Sequence, residues 1–293
     1  MVMKKFVKKA LAASVAAVTS LGTGAVWATA QDEVDKQVAK LLGDAVAKRV
    51  ASAVIAEQTA GAAAGGLNNV YASYGRNTVG FNAGGVNSTS NTDILVGGYD
   101  RNLTDKLVLG AAVNGSRTST SNNTGVAAAG FSGSGIQPYA AYVFTKNFFV
   151  IGKLTYGEGS GGGTSVNFNG GGISLNGLGR WDNFVLKGRA EVNGSRARST
   201  TAGLTTNSNS TSTALDGEAG YFFQPNLYGF VGYQATNAST ANSRSDYARI
   251  GLEYSINKDA AVSVSYEGKV GDNQPTGTSF SANTWTIAGR IRF

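Results

Sequence analysis

The chain has 293 residues and a formal net charge of +7, from 25 basic and 18 acidic side chains. It contains neither cysteine nor histidine, which excludes disulfides, thiolate or imidazole metal ligands, thiol nucleophiles and Ser-His-Asp catalysis. Glycine occurs 41 times and proline three times, and this glycine content is about twice that of an average protein.

The first 30 residues have the pattern of a secretory signal peptide. The basic start contains Lys4, Lys5, Lys8 and Lys9. An Ala/Val/Leu-rich stretch follows, and Ala28 and Ala30 form an A-x-A motif that predicts cleavage after Ala30. An uncleaved anchor is the alternative, but the apolar stretch is interrupted and shorter than the ~20 residues of a spanning helix. Cleavage would leave 21 of the 25 basic residues against 18 acidic ones. The small net positive charge that results does not indicate nucleic-acid binding.

Residues 31–60 favour a helix. Val34, Val38, Leu41, Leu42 and Val46 recur at steps of three or four residues, with charged residues between them. At 1.5 Å per residue the helix would be roughly 38–45 Å long, about the thickness of a membrane with its headgroups. A Gly/Ala-rich linker ends it at residue 66. If the strands predicted below close into a barrel, we expect this helix to lie in its lumen. A periplasmic tail is the alternative.

From residue 67 onward, apolar and polar residues alternate as they do in β-strands. In 184–194, Phe184, Leu186 and Val192 share one face, whereas Lys187 and Glu191 share the other. The same alternation occurs in segments 148–156, 214–223, 248–256 and 261–269. These runs have the length that a tilted strand needs to cross a bilayer, whereas the strands of a soluble sandwich average five or six residues. The sequence therefore predicts an all-β fold over 67–293, an antiparallel transmembrane β-barrel.

The connections predict twelve strands, the first near 69–76. Short polar turns are expected at 102–106, 145–147, 181–183, 224–226 and 257–259. Longer tracts rich in Gly, Asn, Ser and Thr, among them 121–130, 157–172 and 200–210, are predicted to be extracellular loops. Pro138 in the fourth strand removes a ladder hydrogen bond, so we place it near the outer rim.

The polar faces of these strands predict a charged lumen. Its expected members are Asp100, Lys153, Arg180, Lys187, Arg189, Glu191, Asp216, Glu218, Arg249, Glu253, Glu267, Lys269, Arg290 and Arg292. They form either a structural lattice of cross-strand ion pairs or a surface that grips an internal helix or biases ion flow. Asp216 and Glu218 are spaced like an acid–base pair, but neighbouring lumen residues of a barrel share this spacing.

The C-terminal sequence TWTIAGRIRF is a half-apolar strand that ends on an aromatic residue. Trp285, Ile287, Ile291 and Phe293 share one parity. A helix, twelve strands and a terminal aromatic together resemble the translocator domain of type V autotransporters. Segments 97–118 and 248–272 also look like hairpins of that family. The resemblance implies an outer-membrane barrel with a helix threading its lumen, and it implies that these four residues are read as a signal by the barrel-assembly machinery.

The chain departs from that family in two respects. A passenger normally stands between the signal peptide and the helix, and here the predicted helix starts almost at the cleavage site. Asp35 and Lys36 stand where a self-cleaving subgroup has an Asn pair, which argues against self-cleavage.

We therefore predict a Gram-negative outer-membrane protein that anchors or exports a very short N-terminal segment. The alternative is a small pore that the N-terminal helix plugs or gates. An enzyme ranks last, because barrel phospholipases and proteases of this size rely on histidine. We expect no catalytic residue, metal or cofactor. The expected partners are outer-membrane lipid and, during biogenesis, the assembly machinery and periplasmic chaperones; we expect no nucleic acid and a monomer.

Overall fold

A computed structural model of the protein describes residues 68–83, 86–122, 130–145, 147–238, 243–257, 259–273 and 278–293. The predicted signal peptide with Ala28 and Ala30, the predicted helix over 31–60 and its linker lie outside these residues.

The described chain is built from twelve antiparallel strands in one closed barrel, in which each strand pairs with its sequence neighbours and β1 pairs with β12. The strands are β1 (Asn68–Ala83), β2 (Val86–Asn102), β3 (Leu107–Asn122), β4 (Phe131–Thr145), β5 (Phe148–Gly161), β6 (Thr164–Trp181), β7 (Phe184–Thr201), β8 (Leu204–Gln224), β9 (Leu227–Ala238), β10 (Ser243–Ser255), β11 (Ala260–Asn273) and β12 (Thr278–Arg292). The predicted all-β fold and the count of twelve strands are confirmed. No helix in the described ranges is long and apolar enough to cross a membrane.

The alternation of the sequence fixes which face of each strand turns inward. In β7, Phe184, Leu186 and Val192 are exposed, whereas Val185 and Glu191 between them are buried. Successive side chains of a strand point to opposite faces, so the buried parity lies inside the closed barrel and the exposed parity lies outside.

Two of the long loops that the sequence predicts are wrong, because the structure has strands joined by tight turns there. β5 runs to Gly161 and β6 begins at Thr164, so Gly162 and Gly163, with φ of 59° and 76°, form a two-residue turn. Ala202 and Gly203, with φ of 49° and 81°, join β7 to β8 in the same way. Positive φ at both central residues is the pattern of the tight hairpins that match strand twist. The Gly/Ser/Thr/Asn tracts 157–172 and 200–210 are therefore mostly strand.

Pro138 lies in the middle of β4, not near its end as predicted. It pairs with Ala111 of β3, whereas the register between β4 and β5 is interrupted between Ile136 and Tyr139. Proline has no N–H to donate to a ladder. The wall tolerates the missing bond within a long strand because the pairing resumes on both sides.

Several aromatic rings of the interior lie over glycines of the neighbouring strand. A Cβ built on Gly98 would lie 2.1 Å from the Tyr71 ring, one on Gly110 would lie 2.4 Å from the Tyr139 ring, and one on Gly251 would lie 2.3 Å from the Phe230 ring. Gly98 is the direct register partner of Tyr71. A side chain at such a glycine would displace the ring, so these glycines are required for packing.

Candidate functional site

The outer surface of the barrel is apolar around its whole circumference. Each strand contributes at least one exposed large side chain of this kind, for example Tyr74, Leu95, Val113, Ile136, Leu154, Ile173, Leu186, Leu215, Val231, Ile250, Val262 and Ile287. Leu215 is 65% exposed and Ile287 is 61% exposed. Soluble monomers rarely expose contiguous apolar surface on this scale.

Aromatic rings of the outer surface gather at the end of the barrel that carries the turns 182–183 and 225–226. Phe184 and Tyr221 stack edge to face with ring centroids 4.9 Å apart, and Tyr221 continues to Phe223 at 5.4 Å. Further along the strands, Tyr266 and Trp285 are paired at 4.7 Å. Tyrosine and tryptophan combine an apolar ring with a polar group and favour the boundary between an apolar and an aqueous phase.

A network of ion pairs crosses the interior wall. Its members are Lys153, Lys187, Arg189, Arg249, Glu191, Asp216, Glu218 and Glu267. Arg189 Nη2 lies 3.2 Å from Asp216 Oδ2, and Arg189 Nε lies 3.6 Å from Glu191 Oε2. Lys187 pairs with Glu218 on the neighbouring strand. In the described part of the chain these named members are four cations and four carboxylates, so their charges sum to zero.

Arg249 joins strands that are not adjacent. Its register partner on β9 is Gly232, whose register partner on β8 is Glu218. Arg249 Nη2 lies 3.2 Å from both Glu218 Oε2 and Asp216 Oδ1, and Nη1 lies 3.6 Å from Glu267 Oε2 on β11. A Cβ on Gly232 would lie 3.1 Å from Nη2. Glycine at this position thus lets the guanidinium cross β9.

Lys153 also reaches across a strand to a carboxylate. Lys153 on β5 is paired in register with Gly172 on β6, and Gly172 is paired with Asn193 on β7. The ammonium of Lys153 forms an ion pair with Glu191, two strands away. A Cβ on Gly172 would lie 2.0 Å from Asn193 Oδ1, so the glycine leaves room for the side chain of Asn193.

Asp100 is fully buried in a separate polar group. Tyr139 donates a hydrogen bond to Asp100 Oδ2 at 2.8 Å, and Tyr71 donates to the Tyr139 hydroxyl at 3.4 Å. The three residues come from β2, β4 and β1. Their hydrogen bonds therefore connect three of the first four strands.

The remaining predicted lumen residues are placed as follows. Arg290 Nη2 lies 3.5 Å from Glu253 Oε1, which ties β12 to β10. Arg180 is exposed at the turn end of β6, with its guanidinium 4.9 Å from the Phe222 ring centroid, so it lies at the rim rather than within the network. Lys269 is partly exposed and is paired in register with Tyr247. The side chain of Arg292 lies outside the described part of the chain.

The predicted assembly-signal residues, three in β12 and Phe293 directly after it, all face outward. Their exposed fractions are 59% for Trp285, 61% for Ile287, 58% for Ile291 and 65% for Phe293. The backbone of Phe293 exchanges two hydrogen bonds with Asn68, at 2.9 and 3.0 Å. The last residue of the chain thus closes the barrel against the first residue of β1.

Sequence reasoning missed the residues that connect the charges. Gly232 lies under the Arg249 guanidinium, Gly172 lies under the side chain of Asn193, and Tyr228 donates a hydrogen bond to Glu218 at 3.1 Å. Nothing in the local alternation marks these positions, since their role depends on the register with the next strand. In the described residues no group of three or more acidic side chains is arranged to hold a metal ion.

No protein-family model matches the sequence, and no curated protein matches it. Solved structures do match the fold. The β domain of the Bordetella autotransporter BrkA shares 14% identity at a TM-score of 0.59, over 76% of this chain and 98% of that one. The translocator domain of the autotransporter NalP from Neisseria meningitidis shares 13% identity at a TM-score of 0.56, over 88% and 98%. The chain has the fold of an autotransporter translocator barrel.

This likeness extends to a barrel of another kind. An outer membrane channel from Pseudomonas putida F1 shares 13% identity at a TM-score of 0.54, over 79% of this chain and 97% of that one. At such low identities the likeness establishes the fold, which translocators and channels have in common. The activity of this chain has to be argued from its own residues.

Proposed function

We propose that the protein is an outer-membrane β-barrel of the translocator type, which anchors or exports its own N-terminal segment. The observation that carries this proposal is that the wall is apolar around its whole outer circumference, whereas its charged side chains form ion pairs on the inner face. A bilayer accepts such a surface, because a closed barrel leaves no backbone group unpaired in lipid. The aromatic cluster formed by Phe184, Tyr221 and Phe223 would then lie at the membrane boundary on the turn side.

The translocator role is supported by the fold of the solved autotransporter barrels and by the balanced charges of the ion-pair network. The network that contains Arg249 and Arg189 has equal numbers of both charges, so it would neither attract nor repel strongly a segment of mixed charge. The segment 31–60 has this character, with Lys36, Lys40 and Lys48 interleaved with Asp35 and Asp44. Its passage through or retention in the barrel is the function we propose.

A tag inserted after Gln31 tests this proposal. Intact cells that make the tagged protein are probed with antibody and with protease, and the same cells are probed after the outer membrane has been permeabilised. A tag that is accessible on intact cells supports translocation. A tag that is reachable only after permeabilisation contradicts it. Heat-modifiable migration on gels confirms in both cases that the barrel has folded.

A small pore is the second candidate, and the polar side chains on the inner face of the closed barrel favour it. We propose for this case that the segment 31–60 restricts the conductance. The full chain and a variant that lacks 31–60 are reconstituted in planar bilayers. A higher single-channel conductance of the variant supports the pore, and equal conductance contradicts the idea that this segment blocks it.

A further inference from the structure

A patch of arginine and asparagine lies on the outer face of the strands β6, β7 and β8. Arg196 of β7 is paired in register with Asn169 of β6 and Asn209 of β8. Two residues further along β7, Arg198 is paired with Asn167 and Asn207. All six side chains are exposed. Two guanidinium groups are thus framed on both sides by amides.

Two other arginines of the outer surface are paired with acidic side chains. Arg76 Nε lies 3.9 Å from Asp93, and Arg244 Nε lies 2.9 Å from Asp246. Among the described residues, neither Arg196 nor Arg198 has an ion pair with an acidic side chain. Glu158 lies beyond Asn167 on β5, two strand spacings or roughly 10 Å from β7. The patch therefore presents two guanidinium groups that form no ion pair with an acidic side chain of the described residues.

The position of the patch along β7 matches the edge of a bilayer. Phe184 begins the strand, and Val192 is its last large apolar side chain on the outer face. Arg196 follows Phe184 by 12 residues, which at ~3.3 Å per residue and a tilt of ~40° corresponds to a height of roughly 30 Å. The hydrocarbon core of a bilayer is about as thick. Both arginines would then lie at the level of the headgroups in the leaflet opposite the turns 182–183 and 225–226.

We propose that Arg196 and Arg198 bind the phosphate groups of a phosphorylated glycolipid that surrounds the barrel in that leaflet. This inference rests on the membrane placement in the proposed function. Guanidinium groups bind phosphate oxygens with paired hydrogen bonds. The amides of the four asparagines both donate and accept, as sugar hydroxyls do. Together they match a headgroup that carries phosphate on a sugar.

The patch favours a lipid over a soluble anion because it continues the apolar surface. Ile173 of β6, Val192 of β7 and Leu215 of β8 are exposed below it. The acyl chains of one lipid could cover these side chains while its headgroup contacts Arg196 and Arg198. A soluble polyanion would contact the guanidinium groups alone and would gain nothing from the apolar residues.

The test compares lipid binding by the full chain and by the double variant Arg196→Gln/Arg198→Gln. The proteins are refolded in a neutral detergent, and titrations measure the binding of lipid A, lipid A without its phosphates, and phosphatidylcholine. Arg101→Gln is the matched control, because Arg101 is also exposed but lies at the turn end of β2. We expect the double variant to bind lipid A at least about tenfold more weakly, which corresponds to ~1.4 kcal/mol, and the control to bind like the unaltered chain.

Two further results decide the interpretation. Dephosphorylated lipid A should bind the unaltered chain and the double variant equally, because the arginines act on phosphate. If the double variant binds lipid A as tightly as the unaltered chain, the proposal is wrong. It is also wrong if the substitutions weaken the binding of a heparin fragment but not of lipid A, which would assign the patch to a soluble polyanion. Insertion into liposomes, measured by protease protection, tests the membrane placement separately.

Discussion

Replacement of Arg249 by methionine should destabilise the barrel more than any change to an exposed ion pair. The Arg249 side chain is only 3% exposed and contacts the three carboxylates of Asp216, Glu218 and Glu267. Methionine retains much of the apolar stem but removes the charge. The network would then hold three cations against four carboxylates, with the excess negative charge buried in the wall.

The expected loss in the free energy of unfolding depends on which ion pairs remain in the variant. Removal of one member of a buried ion pair typically costs about 3–5 kcal/mol, since the other charge is left uncompensated. Asp216 still pairs with Arg189, and Glu218 still pairs with Lys187. We therefore expect a loss of about 3 kcal/mol, at the lower end of this range. The control Arg76→Met removes a pair whose side chains are 55% and 42% exposed, and it should cost less than about 1 kcal/mol.

Equilibrium unfolding in urea of the protein refolded in detergent micelles measures both variants, with Trp181 and Trp285 on the outer wall as fluorescent reporters. A second variant, Arg249→Met/Asp216→Asn, restores the charge balance and leaves Arg189 paired with Glu191. It should recover about 1–2 kcal/mol of the loss. Equal stability of Arg249→Met and Arg76→Met would refute the reasoning, and so would a double variant less stable than Arg249→Met alone.

Three further changes test the packing, a turn and the closure. Gly98→Ala should lower the free energy of unfolding by about 1–3 kcal/mol in the same assay, because its Cβ would lie 2.1 Å from the Tyr71 ring. Gly97→Ala is the control, because a Cβ there would have no atom within 4 Å. Equal losses in the two variants would contradict this account. Gly163→Ala should cost about 1–2 kcal/mol because φ is +76° there, and an unchanged urea midpoint would show that the turn relaxes freely. Deletion of Phe293 should lower the amount of heat-resistant folded protein in cell membranes several-fold; an unchanged amount would show that its two hydrogen bonds with the first strand are dispensable.

The sequence predicted those strands best in which one face is charged. In β7, Lys187 and Glu191 stand between Leu186 and Val192, so only one assignment of faces avoids charges in an apolar environment. The tracts 157–172 and 200–210 carry small polar residues on both faces, and alternation is invisible there. They were predicted as loops although their backbones pair as strands to the hairpin tips.

The connections within the candidate site could not be predicted, because they depend on register. Arg249 and Glu218 are 31 residues apart in sequence, and only the pairing of both strands with Gly232 brings them together. Likewise, nothing local distinguishes Gly98, over which Tyr71 packs, from Gly97, which faces open space.

The seam between β1 and β12 places the first and last strands of the barrel side by side. Asn69 pairs with Arg292, and the contact continues to Ala83 and Thr278. Until the final strand has been synthesised, two long edges expose unpaired donors and acceptors that can recruit other extended chains. Every incomplete chain is therefore at risk of aggregation, whichever of its hairpins has already formed. Joining Asn68 to Phe293 and opening the chain at a tip such as Gly162–Gly163 would move this vulnerable period to a different pair of strands without altering the finished wall.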